Sequence, residues 1–74
     1  MAGKLPKLQA YEVITILEQH GFILVSQRGS HQKWRNEDTG KQVIVSFHKG
    51  KQLPAGTLKS IVEGSGVPEE RFQR

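Results

Sequence analysis

His31 stands one residue past Gly29-Ser30, with Arg28 before the pair and Lys33 after it. An imidazole exchanges protons near neutral pH, which is what general acid–base catalysis requires. Guanidinium and ammonium groups on both sides would hold a phosphodiester beside it. RNA carries its own nucleophile, the 2′-hydroxyl, so a site that deprotonates it and steadies the phosphate needs no metal. The same histidine also reads as an ordinary exposed hairpin residue.

Two further groups have the right chemistry. His48 precedes Lys49-Gly50-Lys51 and reads as a second proton-transfer group, a phosphate contact or plain loop surface. Downstream, Gly56 and Thr57 open a helical pattern with Lys59 just behind. Free backbone N–H groups, a hydroxyl and ammonium groups together make a phosphate site, although the same residues also read as helix capping. The remaining histidine, His20, falls at the end of a helical pattern and reads as structural. With three His and no Cys, no spacing resembles a zinc set, and no metal or other cofactor is expected.

The elements that would position these groups follow from periodicity. Residues 1–8 read as a flexible lead-in to one domain over residues 9–74. A helix is expected from Gln9 to His20, with Ala10, Val13, Ile14 and Leu17 on one face and Gly21 as its left-handed stop. Strands are expected over 22–28 and 31–36, joined by Gly29-Ser30, a two-residue hairpin signal. After the polar turn Asn36–Gly40, the β-branched run from Gln42 to Phe47 reads as a third strand. Pro54 suits the first turn of a second helix carrying Leu58, Ile61 and Val62, with Gly64-Ser65-Gly66 as its stop. Phe72 is expected to pack home from a short helical turn in the tail.

The order α-β-β-β-α with short links predicts an α+β domain, a three-stranded antiparallel meander with both helices on one face. Trp34 anchors the covered face of the second strand, so Gln32 shares that face while His31, Lys33 and Arg35 project from the other.

Charge points the same way. The chain has 74 residues and a net charge of +4, with a pI near 9.8. From Arg28 to Lys59 run seven cations against Glu37 and Asp38. A basic middle between near-neutral ends suits a polyanion, although it also serves simple solubility. The lack of Cys fits a reducing cytoplasm. No apolar run reaches the ~20 residues of a membrane span, and the first residues lack the apolar stretch of a signal peptide.

These segments together resemble the HicA (YcfA-like) toxin family over nearly the whole chain. Gly21-Phe22 looks like the family's helix–G–[FW] junction. Arg28-Gly29-Ser30-His31 with Trp34 is similar to its R-G-S-H-x-x-[FW] core. Val43-Ile44-Val45 with His48 and then Gly50-Lys51-x-Leu53 looks like its third strand and exit loop, and Gly56-Thr57-Leu58-Lys59-Ser60-Ile61 like its G-T-L-[RK]-x-I helix opening. Gln32 stands where members often carry a second His, and Ser46-Phe47 where they often carry Pro.

The resemblance implies a fold like that of double-stranded-RNA-binding domains. It implies a toxin of a type II toxin–antitoxin pair, a metal-independent endoribonuclease cutting mRNA with His31 as its catalytic histidine. It also implies a HicB-type antitoxin that blocks that histidine. Arg28, Gly29, Ser30, Lys33, Lys49, Lys51, Thr57 and Lys59 are the expected RNA contacts, with His48 as an auxiliary. The competing readings are an RNA-binding module that does not cut and a domain that only docks an antitoxin.

Overall fold

Helix α1 (Ala10–Gln19) forms where the apolar stripe demands it and turns Ala10, Val13 and Leu17 into the core. Its start is fixed by Glu12, whose Oε1 accepts the Gln9 N–H at 2.8 Å. Its end is set by Gly21 at φ 89°, a conformation costly for a residue with a Cβ. In this computed structural model, which describes residues 5–73, three strands follow: β1 (Phe22–Arg28), β2 (His31–Asn36) and β3 (Gln42–Ser46). They pair antiparallel in the order β1-β2-β3. Helix α2 (Ala55–Ser65) and a 3₁₀ turn (Glu69–Phe72) complete the order α-β-β-β-α.

Both helices lie on one sheet face. That face presents Phe22, Trp34, Val43 and Val45 to Val13 and Leu17 of α1 and to Leu58, Ile61 and Val62 of α2. Phe72 closes the core and is 1% exposed. Burial of each such side chain stabilises the fold by roughly 1.5–3 kcal/mol.

Several boundaries differ from expectation, beginning with α1, where the expected end residues Gln9 and His20 are the caps just outside the helix. Helix α2 runs through Gly64 and Ser65 and stops only at Gly66, which has φ 72°. Gly64 is tolerated because it faces β3 closely: a Cβ there would lie 3.3 Å from Val43 Cγ1. Ser65 is buried with its polarity satisfied, its Oγ donating to the Val62 carbonyl at 2.8 Å and accepting the Val67 N–H at 3.1 Å. Pro54 sits at the N-cap, just outside the first turn, and β3 ends at Ser46, one residue short of Phe47.

Of the lead-in expected over residues 1–8, the first four lie outside the described residues. Leu8 is buried, and its carbonyl accepts the Leu53 N–H at 2.8 Å. A neighbouring bridge pairs Gln9 with Gln52. The chain ahead of α1 is thus strapped to the loop that enters α2.

Candidate active site

The turn that presents His31 is tight. Gly29 has φ 58°, and no non-glycine residue among those described has a positive φ. A left-handed first position followed by an ordinary second one is the pattern of a type II′ turn, whose twist matches that of the flanking strands. Both turn carbonyls are engaged: Gln27 Nε2 donates to Gly29 O at 3.0 Å, and the Phe47 N–H donates to Ser30 O at 2.7 Å. The second bond ties the end of β3 to the turn.

Strand register then sets the neighbours of His31. It pairs with Arg28 on β1 and Ser46 on β3, and directly opposed residues of an antiparallel sheet project to the same face. Lys33 lies two residues along, between Ser26 and Ile44. His31 is exposed, so its ring is open to a ligand. Trp34 is buried on the opposite face and Gln32 is half-buried beside it, its Oε1 accepting the Trp34 indole N–H at 3.1 Å. Gln32 is therefore committed to the covered side. Arg35, on the open face, is exposed and forms a 3.7 Å ion pair with Glu37. An exposed pair of this kind contributes little, so Arg35 stays available to another anion.

The other expected contacts gather at a second place. Ser46, His48, Lys51, Gln52, Leu53, Pro54 and Thr57 line a cleft of about 300 Å³ between the end of β3 and the start of α2. Ser46 joins this cleft to the strand pair that carries His31. Lys59 instead borders a larger cleft of about 590 Å³, which shares Gln52, Leu53 and Pro54 but touches neither Ser46 nor His48. The larger cleft thus has no link to the imidazole, and the smaller is the relevant one. Lys49 lies exposed on the loop after β3, lining neither cleft. Among the described residues, no three His, Asp or Glu gather closely enough to hold a metal ion.

His20 has a structural part, with Nδ1 donating to the Ile16 carbonyl at 2.9 Å. Ser46 and Gln52 were not singled out for the site in the sequence. Their place depends on the meeting of β3 and α2, which no local pattern announces.

With that geometry in place, comparison decides the lineage. The family described as "HicA toxin of bacterial toxin-antitoxin" matches residues 10–67 of the 74. The chain belongs to the HicA toxin family. No curated protein matches the chain. The HicA match runs from the first residue of α1 to Val67, just past α2, and so takes in both His31 and the cleft. Membership in HicA makes the chain one half of a toxin–antitoxin system, so a partner antitoxin comes with the family. No helix among the described residues is long and apolar enough to cross a membrane.

Proposed function

We propose that this chain is a metal-independent endoribonuclease toxin that cleaves mRNA with His31 as its catalytic acid–base group. The observation that carries this reading is the pairing of an exposed His31 with Arg28 and Ser46 on the open face. The RNA 2′-hydroxyl gives its proton to an imidazole and attacks the adjacent phosphorus. The new 2′-O–P bond displaces the 5′-oxygen, which takes up the proton held on the imidazole, and the products are a 2′,3′-cyclic phosphate and a 5′-hydroxyl. Arg28 and Lys33 steady the charge that builds on the phosphate oxygens. Gly29 and Ser30 bring the backbone close to the RNA, while Lys49, Lys51, Thr57 and Lys59 extend the contact surface. His48 serves as an auxiliary proton carrier or phosphate contact. The cell compartment is the cytoplasm, where mRNA is met.

A HicB-type antitoxin is the partner that restrains this activity. Ile23, Leu24 and Val25 are 49%, 44% and 42% exposed on the edge strand β1. An exposed apolar edge strand without Pro or an internal charge suits a protein cover. The strand runs into Arg28, opposite His31, so a cover seated there extends toward the imidazole. The surrounding cations favour an acidic partner over a second copy of this basic chain.

The test is inducible expression of wild type and His31→Ala, following growth and total mRNA. The wild type arrests growth and degrades mRNA, and His31→Ala does neither while its folded spectrum is retained. General acid–base terms are typically worth ~10²–10⁴ in rate. Cleavage by His31→Ala at the wild-type rate overturns the assignment.

A further inference from the structure

The cleft beside His31 combines features that phosphate binding alone does not need. Its walls include Leu53 and Pro54, and its polar groups are Ser46, Gln52, Thr57, the imidazole of His48 and the cation Lys51. A phosphate would be served by the cation and hydroxyls. An apolar wall next to an amide and a hydroxyl fits a flat heterocycle with a hydrogen-bonding edge. At about 300 Å³, the cleft lies at the lower end of the range for small-molecule sites. It also begins one strand away from the imidazole. Ser46 lines it and is the register partner of His31, and such opposed residues lie about 4.5–5.5 Å apart at Cα.

The wall that carries Gln52 is held in place. Gln52 bridges to Gln9, and the next residue, Leu53, donates its N–H to the Leu8 carbonyl at 2.8 Å. On the other side, Thr57 sits in the first turn of α2. Two polar side chains on separately anchored elements therefore face one cavity, the preorganisation that selective binding requires.

We infer that this cleft holds the base of the nucleotide adjacent to the scissile phosphate in unpaired RNA, and that Gln52 and Thr57 read its edge. The inference rests on the ribonuclease reading and deepens it, making cleavage base-selective. A duplex cannot satisfy this cleft. Paired bases have their edges occupied, and sequence-specific recognition of RNA goes to unstacked nucleotides. The Gln amide donates and accepts, as does the Thr hydroxyl, so together they distinguish base edges. Leu53 and Pro54 pack against the ring. Lys51 takes the phosphate on the outer side, which positions the nucleotide without selecting it.

The test uses 2′-O-methyl dinucleotides, which cannot be cleaved by the 2′-oxygen, with each of the four bases in turn at either position. They are titrated into the ¹⁵N-labelled chain and followed by amide NMR shifts. Shifts centred on Ser46, Lys51, Gln52 and Thr57 are expected, with affinity varying between bases at one position by about fivefold, the typical worth of one hydrogen bond. Gln52→Ala and Thr57→Val should reduce that variation to near nothing while preserving the dispersed spectrum of the fold. In the cleavage arm, Gln52→Ala should cut at more sites in the same transcript than wild type. Shifts confined to Lys33 and Arg35, equal affinity for all four bases in wild type, or unchanged base preference in both variants each overturn the inference. The binding arm does not depend on catalysis. A chain that binds selectively without cutting would overturn the nuclease reading alone.

Discussion

Asn36 Nδ2 donates to the His20 carbonyl at 2.8 Å, while Asn36 Oδ1 accepts the Asp38 and Thr39 N–H groups at 2.8 and 3.2 Å. One buried amide thus closes the C-terminal end of α1 and shapes the turn between β2 and β3. Gly21 beside it is required for its φ of 89° and not for space, since a Cβ there would lie 3.5 Å from Asn36 Nδ2, an ordinary contact. The backbone of Asn36 joins in, with its N–H donating to the Lys41 carbonyl at 2.9 Å and its carbonyl accepting the Gly40 N–H at 2.8 Å.

Asn36→Ala should therefore cost roughly 2–4 kcal/mol, because three partly buried backbone groups lose their partner together. Denaturant unfolding measures it. A midpoint shift corresponding to less than about 0.5 kcal/mol, the size of an ordinary surface change, would show that water replaces the amide.

The turn makes a separate prediction. Gly29 has open space around a would-be Cβ but a φ of 58°, so a substitution there meets backbone strain and no clash. Gly29→Val should destabilise the fold by about 1–3 kcal/mol. It should lower cleavage more than RNA affinity, because it re-aims His31 and leaves the cations in place. Parallel measurement of kcat and of binding to a 2′-O-methyl RNA decides it. Equal losses in both would mean that the turn serves only stability.

Most of the fold was legible because its signals are local. Gly21, Gly29 and the Asn36–Gly40 turn punctuate the chain, and each intervening run has a clear period. What stayed hidden depends on distant partners. Asn36 reads as a turn residue until its amide is found on His20, sixteen residues away. Leu8 reads as a lead-in until its carbonyl meets Leu53. Of the apolar run Phe22–Val25 in the strand expected over 22–28, only Phe22 is buried. β1 is an edge strand with a register shift between Leu24 and Ser26, and the helices leave Ile23, Leu24 and Val25 exposed. In the site, the hairpin signal located His31 and Arg28. Ser46 and Gln52 emerged only when β3 and α2 were seen to share a cleft.

RNA affinity should fall steeply with salt and survive His31→Ala. Seven cations between Arg28 and Lys59 outnumber two anions, and each phosphate neutralised on a single strand contributes about −0.7 to the log–log slope. Lys51→Ala and Lys59→Ala should each flatten that slope by about one contact. Lys51 borders the cleft next to Ser46 while Lys59 borders the larger one, so Lys51→Ala should also weaken binding of the 2′-O-methyl dinucleotides and Lys59→Ala should not. Affinity that is constant from low to high salt would refute the electrostatic account.

Cleavage should proceed in excess EDTA and should stop when the substrate carries 2′-deoxy residues. The expectation comes from what surrounds His31. Its register partners are Arg28 and Ser46, and Lys33 follows on the same face, so the groups at hand are cationic or hydroxylic and suited to an anionic phosphorane. The nearest carboxylates along β2 are Glu37, drawn toward Arg35 at 3.7 Å, and Asp38 in the following turn. A hard cation such as Mg²⁺ takes carboxylate oxygens, and this neighbourhood supplies cations instead. The nucleophile is then expected to be the 2′-hydroxyl of the RNA itself, and the product to end in a 2′,3′-cyclic phosphate, read by mass spectrometry of the fragments. Loss of activity in EDTA would assign the reaction to a metal-dependent nuclease. Undiminished cutting of the deoxy substrate would assign the attack to water, with His31 as its base.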